Sequence, residues 1–527
     1  MPPEMPPELP PATTTHPDAG QALNLLRQGR PKEAAAVCEA VLARRPKDVQ
    51  ALHILGILSA QSGDPARGEA LLRRAMAADP RNPAAPYDLG NLYLATNRVA
   101  EAEPCFRAAV ELAPAMAEAR LGLATALARL GRLDEALPAC HAALKLKPEL
   151  APTHNVLGNI LKEQGRLDDA TACYRRARSL APRAVDPHFN LGLMARERNS
   201  FEEAIAHYRA ALTVAPRHAP SHYNLGIALL LSGDYPAGWP EYEWRWAAKG
   251  KQPRFRDALW TGQNLTGKRI FIHSEQGLGD SLHMLRYLPA VAARAASTVL
   301  EVPAPLLPLA AAQGWPVELQ AKSAPAPPFD LQCPMMSLPR AFGTTFETIP
   351  AGTPYLKPPE ARKRAWSERL CGLSGLKAGI VWAGNVNQAN DGNRSLDLAR
   401  LAPLLALPGI SWVSLQVGPK SAELASLPEG SVLDISPELT DFAETAAAAA
   451  NLDVIVSVDT SVGHLAGALA LPTFILLSFA ADWRWPTGRA DNPWYPSLTV
   501  FRQEKLGDWD PVVTATTDAL TALRDSS

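Results

Sequence analysis

Charge of one sign is what this 527-residue chain lacks most plainly: 52 Lys and Arg stand against 53 Asp and Glu, a formal net charge of −1. Without a broad positive field nothing holds a nucleic-acid backbone or an anionic membrane surface, so neither is an expected partner. Cysteine is scarce too. The six residues at 38, 105, 140, 173, 333 and 371 include no close pair suited to zinc or redox chemistry, and they read as small buried hydrophobes in a reducing compartment. Long hydrophobic runs are absent: the longest, Leu465 to Ala480, contains Pro472 and falls short of the roughly 20 residues a spanning helix needs. The opening MPPEMPPELPPATTT has no basic residue to begin a signal peptide, and residues 1–19 read as a disordered proline-rich lead-in. A cytoplasmic protein without a membrane span is expected. The length exceeds one ordinary core, and 47% hydrophobic residues fit a multidomain globular chain.

What is present is periodicity. Prolines at 46, 80, 114, 148, 182 and 216 recur every 34 residues, and Gly29, Gly63, Asn97, Gly131, Gly165, Asn199 and Gly233 keep the same step. So do the small residues Ala34, Gly68, Ala102, Ala136, Ala170 and Ala204. Gly or Asn suits a turn of positive φ, a small residue lets two helices approach, and proline stops a helix. The period resembles the tetratricopeptide helix-turn-helix repeat, which predicts an α superhelix over 20–250, with six repeats and a partial seventh. Such an array binds rather than catalyses, so any activity is expected after about residue 265. Asp88, Asn190 and Asn224 fall where a concave face takes hydrogen-bonding side chains, making a protein or peptide the expected partner there. Ile54, Gly122 and Val156 interrupt that ladder, unlike the continuous asparagine track of the animal O-linked N-acetylglucosamine transferases, and plain solvation or capping stays open.

The segments YPAGWPEYEWRW and PRFRDALWTG crowd aromatics between the halves, predicting a packed joint around 251–267. From Lys268 the pattern turns to α/β. RIFIHS and STVLEV read as strands around the glycine turn EQGLGD and one helix SLHMLRYLPAVAARA. After a proline-rich stretch come KAGIVWAG, WVSLQV, a helix around Phe442 to Ala450, VIVSVD, a helix from about Thr460 and TFILLS. Two Rossmann-like lobes, 268–360 and 361–527, are expected with a cleft between them.

Two segments carry chemistry. In DVIVSVDTSVGHLAGAL a strand runs into Asp459, Thr460 and Ser461 and then a helix, whose first-turn N–H groups suit a diphosphate, with His464 one turn on. Asp459 as a plain cap and His464 as packing are the bland alternatives. In EQGLGDSLHMLRYLP, Gly277 and Gly279 allow a tight turn and close approach, Asp280 begins a helix with its carboxylate at the cleft, and His283 follows one turn later. A base belongs at such a place. Arg394 in GNRS is a candidate positive charge, and Asn385 and Gln416, each after a strand, are candidate donor contacts or ordinary loop polarity. The one D-x-D, Asp508-Trp509-Asp510, precedes Pro511 and reads as a helix cap, so neither a metal nor a cofactor is expected.

Paired in this order, GLGDSLHMLRYLP and SVDTSVGHLAGAL resemble the motifs of the ADP-heptose:lipopolysaccharide heptosyltransferases over about 268–505. With DWRWPTGRADNPWYPSLTVFRQ, the whole resembles bacterial tetratricopeptide proteins carrying such a glycosyltransferase module. The resemblance implies a GT-B fold and a metal-independent, inverting transferase of the hexosyl or heptosyl class. It implies Asp280 as catalytic base, with Asp459, Thr460, Ser461 and His464 on the nucleotide-sugar diphosphate. The array and the tryptophans at 483, 485 and 494 depart from the compact lipopolysaccharide enzymes, so a different acceptor is expected: a protein, a surface or flagellar one among them, or a cell-surface glycan. The competing expectation is a scaffold whose GT-B module is degenerate.

Overall fold

The computed structural model describes residues 17–350, 352–386, 388, 391–489 and 491–526. Residues 1–16 of the expected proline-rich lead-in lie outside the described residues, and helix begins at Pro17 rather than after residue 19. From Pro17–Arg27 to Tyr235–Tyr242 the chain is a succession of antiparallel helix pairs. Each period's proline stands two residues past a helix end, as Pro46 does after Pro31–Arg44 and Pro216 after Phe201–Val214. The turn inside each pair has positive φ, from 56° at Asn199 to 93° at Gly63, as the Gly/Asn register demands. The small second-helix positions Ala34, Ala102, Ala136, Ala170 and Ala204 are wholly buried. Polar residues on the first helices bond one another between adjacent pairs. His53 Nε2 meets Asp88 at 2.5 Å, and Asn190 Nδ2 donates to Asn155 Oδ1 at 2.9 Å.

The chain divides into two compact units, Met1–Met194 and Ala195–Ser527. In the second, the last repeat helices share a core with two parallel sheets. The first sheet has the order β3-β2-β1-β4, from β1 Arg269–His273, β2 Ser297–Val302, β3 Glu318–Ala321 and β4 Leu331–Pro334. The second runs β10-β9-β8-β5-β6-β7, from β5 Leu376–Val381, β6 Ile410–Ser414, β7 Val432–Asp434, β8 Val454–Val458, β9 Thr473–Leu477 and β10 Leu498–Arg502. Both faces of this sheet are covered. Leu376, Ala378, Ile380 and Trp382 enter one core, while Val381, Val413 and Ile455 enter another.

Strand order reverses between β1 and β4 and again between β5 and β8, and such switch points open crevices at the carboxyl ends of strands. The two glycine- and hydroxyl-bearing turns lie at these places. One helix differs from expectation. SLHMLRYLPAVAARA is not continuous: the helix begins at Leu278, passes through a 3-10 turn at Leu285–Tyr287 and resumes at Leu288–Ala292. Pro289 has no N–H to bond back to residue 285, whose carbonyl accepts from Leu288 instead.

The aromatic segment packs against the first sheet. Trp239 Nε1 donates to Thr344 O at 2.8 Å, and Trp260 pairs by its backbone with Gln332 beside β4. Among the described residues no helix is long and apolar enough to cross a membrane.

Candidate functional site

The turn after β1 is set by the chain's own backbone. Gly277 caps the Leu278–Met284 helix, and its N–H donates to Asp280 Oδ2 at 2.8 Å. Asp280 is therefore the third residue of the helix, not its first. Its other oxygen pairs with the Arg484 guanidinium from the loop after β9, and its side chain keeps one-fifth of its exposure. Arg484 also pairs with Asp482 at 2.5 Å, and its Nε has no partner among the described residues. Burial opposes its charge, but Asp482 and Asp280 outweigh that and hold the guanidinium protonated.

The turn after β8 is capped by Thr460, whose side chain accepts from Gly463 N, so the plain-cap reading of Asp459 does not hold. The carboxylate of Asp459, with 19% of its side chain exposed, instead faces cations. Burial, with the charge of Asp482, pushes it up to about 6, while Arg394 and Arg484 pull the other way. Arg394 lies across the ends of β5 and β8, donating to Asp459 O at 3.1 Å and to Asp391 Oδ1 at 3.2 Å. Gly384 makes room for it: a Cβ there would stand 2.3 Å from Arg394 Nη2. Ser461 opens the helix Ser461–Ala468, half-buried.

The two helix starts touch. A Cβ built on Gly279 would meet His464 Cδ2 at 2.8 Å and Ser461 Cα at 3.4 Å, so glycine here serves the close approach of one lobe to the other. His283 is fully buried, 4.6 Å from the Trp494 ring, and His464 stacks on Trp485 at 5.4 Å. Both offer Nδ1 to one hydroxyl, Tyr495 Oη, at 2.8 Å and 3.0 Å. Burial and nearby arginines keep both imidazoles neutral. Arg286 braces the same loop, donating to Trp494 O at 2.8 Å. Trp494 Nε1 in turn donates to Tyr235 Oη at 2.9 Å, tying the loop to the Tyr235–Tyr242 repeat helix.

Asp280, Gly277, Gly279, His283, Asp459, Thr460, Ser461, His464 and Arg394 thus gather around these two turns. Gln416 stands apart in use: its Oε1 accepts from Trp382 N and Ala383 N at 3.2 Å and 2.9 Å, holding two strand ends together. Asn385 is exposed beyond β5, where its carbonyl accepts from Gln388 N. Sequence reasoning missed Arg484 and Tyr495. The signal was the run of tryptophans around them, which marks a buried loop in which an arginine must have partners. Beside the site, Trp485, Arg489, Asn492 and Arg502 help line a cavity of about 410 Å³. Among the described residues no group of three or more His, Cys, Asp and Glu is arranged to hold a metal.

The comparisons define the class of the N-terminal part. Tetratricopeptide-repeat models match residues 15–40, 59–106, 87–151, 155–219 and 195–249, so this part of the chain is a tetratricopeptide array. The particular likeness is to Protein FlbA of Caulobacter vibrioides (strain ATCC 19089 / CIP 103742 / CB 15), 30% identical over 329 residues, 56% of this chain and 54% of FlbA. The chain thus spans about half the length of that curated relative. Among solved structures, TTC0263, a thermophilic TPR protein in Thermus thermophilus, is 25% identical, covering 34% of this chain and 99% of its own with a TM-score of 0.32. A structure of MamA is 28% identical, covering 32% of this chain and 95% of its own with a TM-score of 0.28.

Proposed function

We propose that the chain is a glycosyltransferase of GT-B type, moving a sugar from a nucleotide-diphosphate donor to a hydroxyl on an acceptor recruited by the repeats. The observation that carries this reading is the meeting of Gly279, next to Asp280 in the chain, with the start of the Ser461–Ala468 helix, two turns at the switch points of separate parallel sheets. In the proposed step Asp280 takes the proton of the acceptor hydroxyl as its oxygen bonds the anomeric carbon with inversion. The bond from that carbon to the diphosphate breaks, and the nucleoside diphosphate leaves with its electrons. The helix N-terminus, Arg394 and Arg484 supply positive electrostatics for the leaving group. Arg484 has a further part: moving toward the phosphates, it releases Asp280 from its ion pair. No metal takes part in this scheme, and the repeats present a protein or peptide.

A second reading, a repeat scaffold whose α/β part no longer catalyses, draws on the same pair, because both carboxylate oxygens of Asp280 already have partners. A panel of nucleotides and nucleotide sugars separates the two. The transferase reading requires at least one to raise the melting temperature and to be hydrolysed or transferred. No shift at millimolar ligand leaves the scaffold.

A further inference from the structure

The two buried imidazoles and the hydroxyl between them carry more than packing. Tyr495 has one proton and faces two Nδ1 atoms, with the Tyr355 hydroxyl, which donates to Leu282 O, also against it, so only one of these takes the Tyr495 proton. The far atoms of the rings decide which. Among the described residues His283 Nε2 is buried without a partner, and an orphaned N–H costs more than an orphaned lone pair, which puts the His283 proton on Nδ1. His464 Nε2 lies 3.8 Å from Asp459 Oδ1, where a hydrogen is attracted and a bare lone pair repelled. Both demands are met by one arrangement: His283 Nδ1–H donates to Tyr495, and Tyr495 O–H donates to His464 Nδ1.

We propose that Tyr495 and His283 lock His464 in its Nε2–H tautomer, making it a neutral hydrogen-bond donor beside Asp459 and the start of the Ser461–Ala468 helix. Neutrality matters here. Arg286, Arg394 and Arg484 face the cluster, and a further cation beside them is disfavoured by the same burial that hides the rings. A donor without charge adds a contact to a phosphate oxygen and no repulsion to the guanidinium groups. Tyr495 and His283 are therefore positioning residues, acting through His464. The use of that donor on phosphate rests on the proposed transferase function; the tautomer itself does not.

The test uses the full chain labelled with nitrogen-15 histidine. Long-range proton–nitrogen spectra of the ligand-free protein are expected to show His464 with a bare Nδ1 and a protonated Nε2, and His283 with the reverse. Inorganic pyrophosphate is then titrated in as the probe. In Tyr495→Phe, His464 loses its preference for Nε2–H, and pyrophosphate affinity falls about tenfold, which is about 1.4 kcal/mol. His464 carrying its proton on Nδ1 in the wild type, or an unchanged tautomer in Tyr495→Phe, overturns the lock. If the variant does not fold, the wild-type spectrum decides alone. A wild-type spectrum as expected together with no pyrophosphate binding leaves the lock standing and removes the transferase reading.

Discussion

Gly279 lies against His464, so close that a Cβ on the glycine would stand 2.8 Å from the imidazole Cδ2. Gly279→Ala therefore has to push the ring off the Tyr495 hydroxyl or part the two helix starts. We expect a loss of about 1–3 kcal/mol by urea denaturation, the usual range for overpacking. Gly372, with open space around it, is the control, and Gly372→Ala is expected to change stability by no more than about 0.5 kcal/mol. Equal stabilities for the two variants would show that the lobes do not meet here.

Asp280→Asn keeps the shape that accepts the Gly277 N–H and removes the charge that Arg484 holds. Turnover of the donor identified by the nucleotide-sugar panel is expected to vanish. Binding of the corresponding nucleoside diphosphate persists or tightens, because Arg484 is freed for phosphate. The stability loss is about 1–3 kcal/mol, less than for a fully buried pair, since Arg484 retains Asp482. Unchanged turnover would remove Asp280 as the base.

The pH dependence of stability has two opposing sources in this cluster. Asp459 rises from 3.8 to about 6 on folding, so the folded state keeps a proton that the unfolded chain has released across that window. Its contribution is full below the unfolded value and lost as pH rises through the folded one. Asp459→Asn removes the contribution, and the variant should gain on wild type by up to about 3 kcal/mol between pH 4 and 7. His283 and His464 have the other sign. Folding depresses both below 6.5, so their contribution is present above that pH and lost on acidification. Denaturant titrations at several pH values check both, and parallel curves for wild type and Asp459→Asn would refute the burial of that carboxylate.

In the array, Gly122 faces the Phe106 ring, where a Cβ would lie 2.3 Å from Cε1. Alanine brings a helix-propensity gain of about 1 kcal/mol. Phe106 is wholly buried and cannot swing clear, so we expect Gly122→Ala to lower the thermal midpoint in spite of that gain. A raised midpoint would mean that the ring repacks at no cost.

The array was the most legible part of the sequence because a turn of positive φ accepts few residues, and Gly131 at 76° and Asn97 at 62° show that demand in its two chemistries. The strands were legible from apolar runs bounded by glycine, as with Val454–Val458 before Asp459. Helix starts were less so: Thr460 takes the cap that its neighbour was equally fitted to take, and only the backbone decides. Gln416 looked like a loop contact because nothing local says that two N–H groups at a strand end need an acceptor. Arg484 and Tyr495 were hidden for another reason. Asp280 meets Arg484 across 204 residues, and no period or spacing encodes a partner brought back by a loop.

Trp494 bonds Tyr235 on the last repeat helices, and the next residue, Tyr495, holds both imidazoles. One peptide unit therefore joins the last repeat helices to the imidazole pair. If the proposed function holds, a partner that displaced the Tyr235–Tyr242 helix would strain that pair, and by reciprocity an anion bound beside the pair would change the affinity for the partner. The tryptophan-rich loop would then act as a lever between the two.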